Sequence, residues 1–216
     1  MGALNDHASG DLTLGPLVAP DEATGGLLPV LAPLRPLLPP LRPGAALSLA
    51  GSASLGLALV AGAKDWTAVV GVPEFGVVAA QAMGADLERL LLVDEPGPRW
   101  AEVVAALAEA VRLILLRPPA QPSPTLVRRL TALTRKHGCV LAVAGDWPGA
   151  TARLTTGSAS WQGLSNGHGQ LVSRRLQVTS TGRSLGAGRS AWLLCPDARG
   201  RLAEAPSPAR HLEVVA

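Results

Sequence analysis

Six residues, Gly51-Ser52-Ala53-Ser54-Leu55-Gly56, put two glycines at the spacing of a phosphate-binding loop. A loop that grips a nucleotide needs three kinds of group at fixed positions. Its glycines let backbone N–H groups curl around phosphate oxygens, a Lys directly after the second glycine reaches the β- and γ-phosphates, and a Ser or Thr hydroxyl next to it holds Mg²⁺. Here the Lys position is Leu57 and the hydroxyl position is Ala58. Neither side chain can carry charge, donate to a phosphate or ligate a metal. The glycine spacing alone is weak in a chain with 24 Gly, and an ordinary strand-to-helix turn accounts for it equally well. Context adds weight: an apolar run, Ala45 to Ala50, leads in and a second from Leu57 leads out, so the stretch reads strand, glycine loop, helix.

Few other residues offer chemistry. Cys139 and Cys195 each sit inside an apolar run, with no CxxC and no second pair, so buried thiols in a reduced cytoplasm are expected rather than a disulfide or metal site. No zinc site is visible. His137 reads as a helix-end cation, and His168 receives no role. Charge is uneven: residues 1–120 carry seven Lys or Arg against twelve Asp or Glu, and residues 121–216 carry twelve against four. A basic C-terminal half suits a nucleic-acid or acidic-protein partner, or simply a solvated Arg-rich surface.

The positioning elements follow from composition and punctuation. At 216 residues, 48% hydrophobic and 16% charged, the chain suits one globular domain, its core built from Leu, Val and Ala since Phe occurs once and Tyr not at all. Residues 43–63 carry no charge, but Gly44, Gly51, Gly56 and Gly62 dilute the run, so a buried strand and helix are expected there rather than a membrane span. The opening MGALNDHASGD has acids and no basic segment, unlike a secretory signal.

In order, residues 1–26 read as a flexible tail. Residues 27–43 form a Pro-rich segment, laid across the domain or docked on another protein. The globular domain covers 44–196, and 197–216 form a loop-like C-terminal tail. Strands are expected at Thr67–Val72, Leu87–Val93, Arg112–Leu116 and Cys139–Ala144. Helices are expected from Pro73 to Met83, from Pro98 past Val103, Val104, Leu107 and Val111, and from Pro124 to His137. The last has Ser123 as N-cap, Gly138 as stop, and a buried stripe of Leu126, Leu130 and Leu133. Thr151–Gly169 reads as a mobile Gly-rich loop, and Leu171–Thr181 with Ser190–Cys195 as an antiparallel hairpin. The expected fold class is α/β: a mainly parallel central sheet flanked by helices, closed by a C-terminal antiparallel hairpin.

This order of elements, together with the glycine loop and the string MGADLERL at 83–90, resembles the ATPase core of RecA-type recombinases, a P-loop fold, from about Leu41 to Cys195. Within that superfamily, GVPEFG (71–76) and GDWPGA (145–150) resemble the short actinobacterial mutasome accessory proteins of the ImuA-prime type. The resemblance also marks where ATP handling is lost. Besides Leu57 and Ala58, the Walker-B carboxylate position after the fourth strand is Arg117, and Asp146 stands where a polar residue would sense the γ-phosphate. Glu74 matches the water-activating acid but has no metal or phosphate to work with. Loss of the Lys, the metal hydroxyl and the metal carboxylate together removes the electrostatic basis of phosphoryl transfer. No ATP hydrolysis and no cofactor are therefore expected.

The resemblance implies a catalytically inactive, cytoplasmic scaffold in DNA-damage-induced mutagenesis (translesion synthesis). Its partners would be a Y-family polymerase-like mutasome protein and an error-prone replicative-type polymerase. DNA contact is left open: Trp161 in the Gly-rich loop, with Arg153, Arg174 and Arg175, could stack on and neutralise single-stranded DNA, or the Trp could simply pack at the base of the loop. The alternatives are a single-stranded-DNA-binding module and a regulator resembling the cell-division inhibitors of the SOS response.

Overall fold

The computed structural model describes residues 26–165, 168–183 and 185–207. Of the tail expected over residues 1–26, only Gly26 is among them, and residues 208–216 of the expected C-terminal tail also lie outside. The described chain forms a nine-stranded sheet of β1 (Ala46–Ala50), β2 (Thr67–Val70), β3 (Leu90–Val93), β4 (Leu113–Leu116), β5 (Val140–Ala144), β6 (Ala152–Ser165), β7 (His168–Gly182), β8 (Arg189–Leu194) and β9 (Ala203–Ala205). Their order is β3-β2-β4-β5-β1-β6-β7-β8-β9. Pairing is parallel from β3 through β6 and antiparallel from β6 to β9.

Four helices cover this sheet: α1 (Ala53–Ala63), α2 (Val77–Met83), α3 (Trp100–Ala110) and α4 (Pro124–His137). Strand side chains alternate between faces, and the aliphatic runs are buried on both. Leu113 and Leu115 point to the α1 and α2 side, with Leu47, Ala58, Leu59 and Met83. Ile114 and Leu116 point to the α3 and α4 side, with Trp100, Val104, Val127, Leu130 and Trp147. The Pro-rich segment lies on the α1 side, where Leu28, Val30, Leu34, Leu37, Leu38 and Leu41 join the core. Its prolines leave one 3₁₀ turn, Ala32–Leu34, and Leu28 and Leu41 exchange backbone hydrogen bonds of 2.7 and 2.8 Å.

Several boundaries differ from the sequence expectation, each for a local reason. α2 begins at Val77 rather than Pro73, since residues 72–75 form a turn closed by the Phe75 N–H on Val72 O. β3 begins at Leu90 because the Asp86 carboxylate accepts the Glu88 N–H at 3.1 Å and winds residues 87–89 into a 3₁₀ turn. The buried stripe of α4 centres on Val127, Leu130 and Thr134, with Leu126 and Leu133 on its flanks. The stretch expected as a Gly-rich loop, Thr151–Gly169, is mostly strand: β6 runs to Ser165, with register shifts between Thr156 and Ala159 and between Gln162 and Leu164. Those shifts absorb Gly157 and Gly163, so the glycines serve a bulged ribbon. β9 falls in the stretch read as loop-like and adds to the sheet through pairing with β8.

Candidate functional site

The C-terminal ends of β1, β4 and β5, with the turn after β2, enclose a cavity of about 570 Å³. In open α/β sheets ligands sit in the crevice beyond the carboxyl ends of the strands, so this is where a site is expected. Gly51, Gly56, Leu57, Glu74 and Arg117 all line it. Ala58 lies fully buried beneath it, and Asp146 is not among the lining residues. Leu49, Leu57, Val72, Phe75 and Leu115 make most of the wall aliphatic or aromatic.

The glycine turn is shorter than its sequence suggests. α1 starts at Ala53, four residues before the expected Leu57, so only Gly51 and Ser52 connect β1 to the helix. Ser52 is the reason: it caps the helix, its Oγ accepting the Ser54 N–H at 3.3 Å and its carbonyl the Leu55 N–H at 3.2 Å. Amides that would wrap a phosphate are thereby used in the first helical turn. Both glycines have packing roles. Gly51 has φ +96°, and a Cβ there would collide with Thr156 Oγ1 on β6. A Cβ on Gly56 would lie 2.9 Å from Leu115 Cδ2 on β4. The turn is a tight capped junction.

The charged residues are paired with one another. Arg117, directly after β4, donates to the Glu74 carboxylate across the cavity rim. The Glu74 carboxyl is held below its ordinary value by a hydrogen bond from its own backbone amide and then by the Arg117 guanidinium. Glu74 lies three residues before α2, outside the first turn in which sequence reasoning put it. Asp146 pairs with Arg153, both side chains well exposed. Sequence reasoning named Arg174 for DNA contact and missed its role at the turn, where its Nη2 donates to Ser52 Oγ at 2.9 Å.

The four residues expected to contact DNA do not form one patch. Neighbours in a strand face opposite ways. Arg174 lies 5.9 Å from the centre of the half-exposed Trp161 ring. Arg175 instead stands 5.6 Å from the Trp192 ring and donates to Pro206 O. Arg153 is held by Asp146. GVPEFG and GDWPGA serve the structure: Val72 is buried, Phe75 lines the cavity, and Trp147 is buried with its indole N–H 3.4 Å from Thr131 Oγ1.

Cys139 and Cys195 are free and buried, and burial pushes the Cys139 thiol up to about 12. Among the described residues, no three His, Cys, Asp or Glu side chains gather as a metal site. Nor is any described helix long and apolar enough to cross a membrane. The uncharged run over 43–63 is divided between β1 and α1.

The family model of the MT3502 N-terminal domain matches residues 36–149. That span holds every residue lining the cavity and ends before β6. The uncharacterized protein Rv3395c of Mycobacterium tuberculosis (strain ATCC 25618 / H37Rv) is 35% identical over 155 residues, covering 66% of this chain and 76% of that protein.

Proposed function

The chain belongs to the MT3502 N-terminal domain family, and on that footing we propose that it is a catalytically inactive RecA-like scaffold for DNA-damage-induced mutagenesis. Its partners in this reading are a Y-family polymerase-like mutasome protein and an error-prone replicative-type polymerase. The observation that carries the reading is the cavity after β1. At the place where a RecA-like ATPase would hold triphosphate and magnesium, this chain has Leu57, a buried Ala58, a two-residue turn and an Arg117–Glu74 ion pair. In this wall the carboxylate and the guanidinium are engaged with each other, so in this reading what remains useful is surface. A central strand β1 followed by a glycine turn, in a parallel sheet extended by antiparallel strands, supports the RecA-like assignment.

The partner surface in this proposal is the β3 edge. Among the described residues β3 pairs only with β2, and its Leu90-Leu91-Leu92-Val93 run carries no charge or Pro to discourage addition of another strand. Leu92 is 43% exposed. An extended partner segment would add there through backbone hydrogen bonds, with side-chain pockets giving specificity. The test is co-elution of the purified full chain with each polymerase candidate. Binding is expected, weakened at least tenfold by Leu92→Lys with the circular-dichroism spectrum unchanged; absence of co-elution removes the proposal.

A second reading, a single-stranded-DNA-binding module, draws on the half-exposed Trp161 beside Arg174. Salt-dependent binding of an oligonucleotide, lost in Trp161→Ala, would favour it over the scaffold.

A further inference from the structure

A second depression of about 690 Å³ lies away from the glycine turn, between the Pro-rich segment, the chain at 149–152, and Arg183 and Leu185. Its floor is apolar, with Leu38, Leu41, Leu47 and Leu185, and at its mouth Leu27 is 56% exposed. Arg42, Arg135 and Arg183 line it, and no Asp or Glu does. All three are exposed, and among the described residues none has a carboxylate within ion-pair distance. A groove with an aliphatic floor, an exposed Leu27 at its mouth and several uncompensated cations calls for an occupant that is apolar and acidic.

The chain itself carries such a segment immediately upstream. Residues 1–25 hold Asp6, Asp11, Asp21 and Glu22 and no Lys or Arg, whereas residues 26–207 hold 18 Lys or Arg against 11 Asp or Glu. Leu12, Leu14, Leu17 and Val18 lie among those acids. The point of entry is fixed: Gly26 O accepts from Arg112 Nη2 at 2.8 Å, Leu28 is bonded to Leu41, and Leu27 between them lines the groove. Asp21 and Glu22 stand five and four residues before Gly26, within about 17 Å of extended chain. Tethering at Gly26 also makes docking intramolecular, which raises the effective concentration of the segment to the millimolar range.

We propose that residues 11–22 of this same chain lie in the groove lined by Leu27, Leu41 and Leu185, their leucines on its floor and Asp21 and Glu22 against Arg42, Arg135 and Arg183. This docking is independent of any polymerase partner and stands or falls separately from the scaffold reading.

The test uses the full chain, isotope-labelled and dilute, with Ser9→Cys carrying a nitroxide; the native thiols are buried. Resonances of the Leu41, Ala150 and Leu185 amides are expected to broaden when the label is on the same molecule. They should stay sharp when the labelled chain is mixed with an isotope-labelled chain lacking the nitroxide. Combining Arg42→Glu, Arg135→Glu and Arg183→Glu should reduce the broadening at least fivefold, and adding Asp21→Lys and Glu22→Lys should restore it. Sharp amides in the parent chain, broadening in the mixed sample that assigns the groove to a second copy, or indifference to charge reversal would each overturn the proposal.

Discussion

Replacing Gly51 with Ala is expected to lower folding stability by about 3 kcal/mol, from two separable contributions. The backbone at φ +96° lies where an L side chain is strained, which costs roughly 1–2 kcal/mol. The new Cβ also meets Thr156 Oγ1, a side chain 3.5 Å from Ala50 O, and overpacking of a fitted contact costs about 1–3 kcal/mol. A Thr156→Ala background removes the second contribution and keeps the first, so there the same Gly51→Ala change should cost only about 1–2 kcal/mol. Urea unfolding followed by circular dichroism reads both. With m near 2 kcal/mol/M, the single substitution should lower the midpoint by about 1.5 M at unchanged m. A loss below about 0.5 kcal/mol, or one that Thr156→Ala leaves unaltered, would refute the packing account. Gly51 would then be better explained by the close approach of a ligand.

Two further outcomes follow from the ionisable groups. Arg117→Ala should raise the Glu74 titration midpoint, read by carboxyl ¹³C NMR, part of the way to the ordinary value, since the backbone amide bond remains. Because the folded value is depressed, this pair supports the fold above the unfolded carboxylate value and loses that support as pH falls through the folded one; an unmoved midpoint contradicts the pairing. Cys139 has the opposite sign. Its thiol is raised by burial to about 12, so its contribution is complete below the ordinary thiol value near 8.5 and declines as pH climbs toward 12. A thiol-specific disulfide reagent at pH 8 should leave Cys139 unmodified in the native protein and react with it in concentrated guanidinium; native labelling would refute the burial.

The parallel half of the fold was legible because each strand is a short aliphatic run closed by a residue with a single conformational meaning. Gly84 and Gly138 stop helices in left-handed geometry, and Ser123 with Pro124 starts α4 where expected. β6 and the start of β7 were not legible, since Gly157, Gly163 and Gly169 read as loop when the bulges of this ribbon depend on a partner strand, whereas Leu171–Thr181 of β7 was read as strand. Around the cavity, Leu57 and Ala58 were visible as losses, but the contacts that replace nucleotide chemistry were not. The Glu74–Arg117 pair bridges 43 positions and the Arg174–Ser52 bond 122, distances over which no local pattern carries information. Ser52 hid the length of the turn for the opposite reason: as a cap it acts within two residues, and the glycine spacing drew attention away from it.

The place of β1 in the sheet has a consequence for how the protein is made. Ala46 pairs with Leu141 and Leu47 with Ala152, so both neighbours of this strand are translated about a hundred codons after it. At ribosomal rates of about 5–20 residues per second, β1 waits on the order of 5–20 s for its first partner. During that interval Leu47, Leu49 and the apolar body of α1 are a nascent hydrophobic hairpin without a sheet to rest on, a natural client for a chaperone at the exit tunnel.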